Sequence, residues 1–396
     1  MRSKLTFADI SAPEAVVSLR LHEGTDAWLP VPPAIFDHMG GIPLIYGGER
    51  TVVCHAGCST PGVRNLLASA GHELSRAVTY RDANELRAIL AELAHRGGKI
   101  IVSHIPSRDL LDPKSYVVSP ALQIELNHKA NLARFVPPQH ILPRRCIPIS
   151  DLSDPNEWRF VRPIVLKSAT TLPTGGGFDV VICKDDRQLE RALRIFQQAS
   201  SAIDGVIVED FCDFERSWCA QVAIDDSRVI YLGAAAQVCS ADGRWLGNLC
   251  GSQHEAPVEV LHLALQIGDA GKVAGYRGFA GFDIGLDKQG KLWVFDLNFR
   301  VCGSLPQLLF HESMCHDRQH AVTRNVRFES PVEANAMAVR LRTFIDQRMF
   351  FPMAAFDGPA AGNCASIVMG YAVASNTAAV EELQSQMLDV LAPLAS

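Results

Sequence analysis

The sequence lacks the runs that would set it apart from ordinary folded chains. No apolar stretch approaches the roughly 18–20 residues needed to cross a bilayer. The first twenty residues interleave Lys4, Asp9 and Glu14 with apolar positions, so a secretory leader is not expected either and the expected location is cytoplasmic. Basic residues are in deficit: 37 Lys and Arg against 43 Asp and Glu leave a net charge of -6 and a pI near 6.1. Such a chain has no basic face to neutralise a run of phosphates, which argues against nucleic acid as a partner. Paired cysteine motifs are also missing. Eleven cysteines are scattered from Cys54 to Cys364 without CxxC spacing, and no second pair matches Cys54 and Cys58, so they read as reduced core residues. No internal repeat or low-complexity segment is present.

What is there is a long chain of average soluble composition. With 396 residues, 48% hydrophobic and 20% charged, it is long enough for two or three domains, each with a core of its own. The first 120 residues alternate short apolar runs with helical patterns, as a small α/β domain does. Leu86, Ile89, Leu90 and Leu93 form a helical stripe, and Ile100 to Val102 follow as a buried strand across Gly97 and Gly98.

From about Leu126 the texture changes to a helix containing Lys129 and Leu132, a turn at Pro137 and Pro138, and then short strands. Pro163 to Lys167 (PIVLK) is a strand ending in lysine, followed by the loop TTLPTGGGFD and a strand at Val180 to Cys183. Asp185 and Asp186 cap an amphipathic helix, with Gln188 placed as in a capping box. Further strands are expected at Gly205 to Glu209, Ser217 to Ile224 and Arg228 to Leu232, and a helix on the stripe Val260, Leu263, Ala264 and Ile267. Phe279 to Ile284 and Lys291 to Asp296 read as antiparallel strands around a turn at Asp287 to Gly290. The tail offers an apolar run, Ala365 to Val373, and a helix with Val380, Leu383, Met387 and Val390 on one face.

The sharpest local signal is KLWVFDLNFRVCGS, residues 291 to 304. Asp296, Asn298 and Arg300 recur at a strand's period of two, so a carboxylate, an amide oxygen and a guanidinium line one face over roughly 13 Å. Hard Mg²⁺ takes oxygen ligands, usually one or two carboxylates with nucleotide phosphates completing the shell. Asp296 and Asn298 supply two oxygens, and a hairpin brings Asp283 to the same end. Arg300 would then stabilise charge on a transferring phosphoryl group. Taken alone, the same residues also describe a polar strand end in water, or an arginine in an ordinary ion pair.

The order of the upstream parts resembles the ATP-grasp fold, in which two α+β halves clasp ATP, over about Lys129 to Ser304. An early lysine before a proline-rich turn is matched by Lys129; a strand ending in lysine before a glycine-rich flap is matched by Lys167 and by Gly175, Gly176 and Gly177. The resemblance implies that both lysines meet the α- and β-phosphates and that the glycines let main-chain N–H groups approach them. It implies an adenine hinge at Glu209, Asp210, Phe211 and Cys212, contacting the base through the Asp210 carbonyl and the Cys212 N–H. The ribose would go to Glu215, with Asp213 as the alternative, because the spacing from Glu209 is one residue short of the common pattern. Metal-binding strands are matched by Asp283, Asp296 and Asn298, although the commonest pattern has glutamate where this chain has Asp296, one methylene shorter. Arg300 and Lys167 would carry the catalysis, with ATP and Mg²⁺, or Mn²⁺ in its place, as cofactors.

The implied architecture is α/β and α+β: an α/β domain over 1–120, the two lobes of an ATP-grasp fold over 121–204 and 205–330, and a C-terminal portion over 331–396 packed on them. The implied activity is ADP-forming ligation, in which a small-molecule carboxylate is activated as an acyl phosphate and passed to an amine. Similarity to the carboxylate-amine and peptide ligases of natural-product pathways makes an amino acid or small peptide the expected acceptor. A thiol acceptor, or a nucleotide sensor without catalysis, stays open beside it. Gly303 and Ser304 would donate to the activated carboxylate, or form a plain turn; His254 and Glu255 would polarise the amine, or lie in a solvated loop. A homodimer is the commonest assembly for such enzymes.

Overall fold

The computed structural model describes residues 1–20, 33–105, 110–152, 163–316, 321–362 and 365–391; Cys364 lies outside them. The N-terminal region forms a parallel four-stranded sheet from β1 (Ala15–Ser18), β2 (Thr51–His55), β3 (Ala77–Tyr80) and β4 (Lys99–Val102), in the order β3-β2-β1-β4. Its crossover helix Ala83–His95 buries Leu86 and Leu90 and rests Ile89 and Leu93 on the same cluster, the stripe expected from the sequence. Asp82 caps it by accepting from the N–H groups of Asn84 and Glu85.

The next sheet is antiparallel, in the order β5-β8-β6-β7, from β5 (Arg144–Pro148), β6 (Ile164–Ala169), β7 (Val180–Cys183) and β8 (Gly205–Asp210). The helix Asp186–Gln198 covers it with Leu189, Ala192, Leu193 and Phe196. Asp185 accepts from the Gln188 N–H at 2.8 Å, while the Gln188 side chain accepts from the Lys184 N–H at 2.6 Å, one residue earlier than in a capping box.

The largest sheet has eight strands in the order β13-β12-β9-β10-β11-β14-β16-β15. They are β9 (Arg216–Ile224), β10 (Val229–Cys239), β11 (Trp245–Cys250), β12 (Gly278–Leu286), β13 (Leu292–Asn298), β14 (Val322–Ser330), β15 (Phe350–Phe356) and β16 (Ser366–Ala374). The segment after residue 330 adds β15 and β16 to this sheet and packs the helices Ala334–Asp346 and Thr377–Leu391 against it. One face packs on the helix Val258–Ala274 through Trp218, Ala220 and Val222, so Cys219 and Gln221 turn to the other face by the period of two.

Two expectations need correction. Lys129 is not in an α-helix: the helix Pro120–Asn127 stops at His128, whose ψ of 115° is extended, and Lys129–Arg134 is a separate 3-10 turn. On the last helix, Thr377–Leu391, Val390 is exposed and Leu391 takes the buried face, because eleven residues close three turns of 3.6 more nearly than ten do.

Candidate active site

The hairpin of β12 and β13 sets the carboxylates. Asp287 shapes its turn by accepting from the Gln289 and Lys291 N–H groups and, at 2.7 Å, from the Trp293 indole. Asp283 then pairs directly with Asp296, and Gly281 with Asn298. Between Asp283 and Ile284 the partner jumps from Asp296 to Val294, which leaves Phe295 as the extra residue of a β-bulge. The bulge puts Val294 and Leu297 in the core while Asp296 and Asn298 stay together on the other face.

Burial, then the neighbouring charge of Asp296, raises the Asp283 carboxyl to about 7. Gln237 of β10 donates to Asp283 Oδ1 at 3.0 Å. These two carboxylates with the Asn298 amide fit a hard cation, since their buried oxygens crowd together and the nearby Arg300 and Lys167 charges do not offset the rise at Asp283; among the described residues no cluster of three His, Cys, Asp or Glu is present, so nucleotide oxygens would complete the shell.

β13 ends at Asn298, so Arg300 follows the strand instead of continuing it. Phe299 fixes the departure. It is fully buried, ringed by Phe135, Tyr276 and Phe282 with centroids 5.9, 5.2 and 5.3 Å away, and its ring lies where a Cβ on Gly271 would stand, 2.2 Å from Cε1. Gln123 holds the Phe299 carbonyl at 2.7 Å. Arg300 bends back and donates to Asn298 Oδ1 at 2.6 Å, so guanidinium and amide meet despite the turn.

From the first lobe, Lys167 is buried and donates to Glu209 Oε1 at 2.5 Å and, across the lobes, to the Phe295 carbonyl at 3.0 Å. Glu209 is shared with Arg144, whose Nη1 lies 3.4 Å from Oε2. Lys129 donates to Thr174 of the flap at 3.0 Å and to Asp179, which Ser168 also contacts at 2.6 Å. Burial works against the Lys129 ammonium, but Asp179 and then Asp296 outweigh it and hold its pKa above the ordinary lysine value. Lys129, Thr174, Asp296, Asn298 and Arg300 line one cavity with His104 of the N-terminal domain.

The segment expected to form the hinge takes in the last two residues of β8, Glu209 and Asp210, and the two that follow. Phe211 is half-buried, and burial pushes the Cys212 thiol up to about 11, which leaves it a poor nucleophile. Glu215 is exposed just before β9, whereas Asp213 is held by Lys288 at 2.7 Å. The flap glycines Gly176 and Gly177 have φ of 64° and 77°. Ser304 is buried and accepts from Gln221 at 2.9 Å, next to Gly303.

His254 and Glu255 are not brought to this cavity. The His254 carbonyl accepts from the Trp218 indole, on the sheet face opposite Cys219 and Gln221, and its ring meets Thr377 at 3.0 Å. The Glu255 carbonyl accepts from Arg216 at 3.1 Å. Sequence reasoning missed Asp179, Arg144, Gln237 and Phe295. Asp179 closes the quoted flap segment, so its place was visible; its pairing with Lys129 depends on tertiary contact.

Two family models match the chain. One, described as L-aspartate–L-methionine ligase N-terminal domain, covers residues 6–124, and the other, L-aspartate–L-methionine ligase, ATP grasp, covers residues 143–298. Among solved structures, an L-amino acid ligase from Bacillus licheniformis is similar at a TM-score of 0.52 and 11% identity, over 98% of each chain. A carboxyaminoimidazole ribonucleotide synthase from Aspergillus clavatus complexed with ATP gives 0.56 and 11%, over 96% of this chain and 99% of that one. A biotin carboxylase from Campylobacter jejuni gives 0.56 and 14%, over 96% and 91%. At these identities the likeness to the solved structures is one of fold.

Proposed function

The chain belongs to the ATP-grasp ligases, and from that membership we propose that it activates the carboxylate of one amino acid as an acyl phosphate and couples it to the amine of another. The matched family's description makes L-aspartate and L-methionine the first pair to consider. The observation that supports this reading best is the single cavity lined by Lys129, Asp296, Asn298 and Arg300, with His104 from the N-terminal domain.

In this reading Lys129 and Lys167 leave Asp179 and Glu209 to meet the nucleotide phosphates as point charges. Asp283, Asp296 and Asn298 would hold magnesium, or manganese in its place, which when bound supplies charge neutralisation on the phosphates. A carboxylate oxygen of the donor attacks the γ-phosphorus and ADP departs, with Arg300 facing the charge that grows on the phosphoryl oxygens. The free amine of the acceptor then attacks the acyl carbon, phosphate leaves and the amide forms. No side chain is needed as a nucleophile. In this reading Gly303 and Ser304 would line the donor carboxylate, and Glu215 would face the ribose.

The test is ADP release with single amino acids and with pairs, with the amide product identified by mass. Aspartate and methionine together should give ADP and dipeptide in equal amounts. Release only with a thiol acceptor, or nucleotide binding without turnover for any pair, would replace this reading with one of the alternatives.

A further inference from the structure

The hairpin joining β10 to β11 does not end in open solvent; its tip meets the glycine flap of the first lobe. The Trp245 N–H donates to the Gly176 carbonyl at 3.3 Å, and the Arg244 guanidinium lies 5.6 Å from the Phe178 ring centroid. A Cβ on Gly177, at φ 77°, would stand 2.9 Å from the Gly243 carbonyl oxygen. That glycine is thus required for the hairpin backbone to approach, apart from any role toward phosphate. The tip is built in advance of the contact: the Gly243 N–H donates to the Ser240 carbonyl at 2.9 Å, the Ser240 N–H to the Arg244 carbonyl at 2.8 Å, and Arg244 pairs with Asp242 at 3.2 Å.

The same hairpin touches the other side of the cleft. The Trp245 indole N–H donates to Asn248 Oδ1 at 3.0 Å, which fixes the ring, and its Cη2 lies 3.3 Å from where a Cβ on Gly303 would be. Trp245 and Phe178 remain 36% and 39% exposed, so apolar ring surface borders the junction of flap and Gly303 loop. One element therefore spans the phosphate flap and the loop that follows Arg300.

We propose that Arg244 and Trp245 are positioning residues that hold the flap against the Gly303 loop and keep water from the acyl phosphate. The proposal rests on the acyl-phosphate reading above. The competition is between two nucleophiles for one intermediate: amine attack on the acyl carbon gives amide and inorganic phosphate, and water attack gives back the donor carboxylate and inorganic phosphate. Both follow the same ADP-forming step, so excluding water sets the ratio of ADP to amide.

The experiment measures ADP and dipeptide in parallel for the full chain with aspartate, methionine and MgATP. The wild type should give a ratio near one. Trp245→Ala should raise it to about five or more, Trp245→Phe should restore it toward one, and Arg244→Ala should raise the excess of ADP over dipeptide about two- to five-fold, the range expected for one exposed cation–ring contact. Melting curves matching the wild type would show that the surface changes leave the fold intact. A ratio that stays near one in both alanine variants, whether or not turnover falls, overturns the proposal. A wild type that makes no amide from any pair overturns the ligation reading instead, and this proposal with it.

Discussion

Asp283 and Asp296 stand opposite each other on β12 and β13, and their crowding is visible in the Asp283 carboxyl, raised to about 7 by burial and then by Asp296. Two acids at that spacing are a cost in the protein without a cation and an asset with one. Function and stability should consequently respond in opposite directions to removal of either.

Asp296→Asn tests this. ADP formation should fall by about 10²-fold or more, because an oxygen ligand and its charge are lost. The melting temperature without metal should stay level or rise, since the repulsion on Asp283 is relieved. Near-normal turnover, or an unfolded variant, would sink the assignment.

Lys167→Ala should have two effects. It removes a phosphate contact, and it leaves buried Glu209 with Arg144, at 3.4 Å, as its one remaining ion-pair partner among the described residues. Breaking a buried pair from one side typically costs about 3–5 kcal/mol. Calorimetric titration with a non-hydrolysable ATP analogue should show weakened binding, and the variant should melt earlier. Adding Glu209→Gln should recover part of the stability and none of the affinity. Unchanged affinity in Lys167→Ala would reduce that lysine to a structural role.

Much of this architecture was legible in the sequence because it rests on local pattern. The helix Ala83–His95 follows from its leucine stripe, and the β12–β13 hairpin from alternation around Asp287 to Gly290. Where the period breaks, the reading breaks with it. The bulge at Phe295 inserts a residue that alternation does not reveal, so Asp296 and Asn298 share a face while Arg300 lies past the strand end. β11 was not foreseen: its run WLGNLC carries Gly247 at φ 146° and buries Gly247 through Cys250 on successive positions, leaving no alternation to read. The pairings of Lys129 with Asp179 and of Lys167 with the Phe295 carbonyl join segments about 50 and 128 residues apart, beyond any local signal.

Acid should destabilise the fold through two buried histidines. Burial pushes both His38 and His72 down to about 4, and His72 donates to the Pro352 carbonyl at 3.0 Å. Their unfolded value is about 6.5, so the unfolded chain binds more protons below that pH. Their contribution is complete above about pH 6.5 and is lost as pH falls toward about 4. Thermal melts across this window should show a slope that flattens in the double variant His38→Leu, His72→Gln. An unchanged slope would place the acid sensitivity elsewhere.

Arg300 gives the most direct test of mechanism. Its guanidinium bridges the last residue of the strand and the loop beyond it, donating to Asn298 Oδ1 at 2.6 Å and to the Val301 carbonyl at 3.3 Å, while Phe299 and Gln123 fix the backbone from which it emerges. A group so held needs little reorganisation when charge builds on the γ-phosphoryl oxygens, so its contribution should be larger in the transition state than in the ground state. Arg300→Lys keeps the charge and loses the planar fork, and should lower kcat by about 10²-fold or more while KM for ATP changes little. The competing account is that Arg300 only orients Asn298. In that case the same substitution would free the amide, lower the melting temperature and leave kcat nearly unchanged. Steady-state kinetics and a melting curve on the one variant therefore distinguish a residue that faces the transferring phosphoryl group from one that merely braces the end of β13.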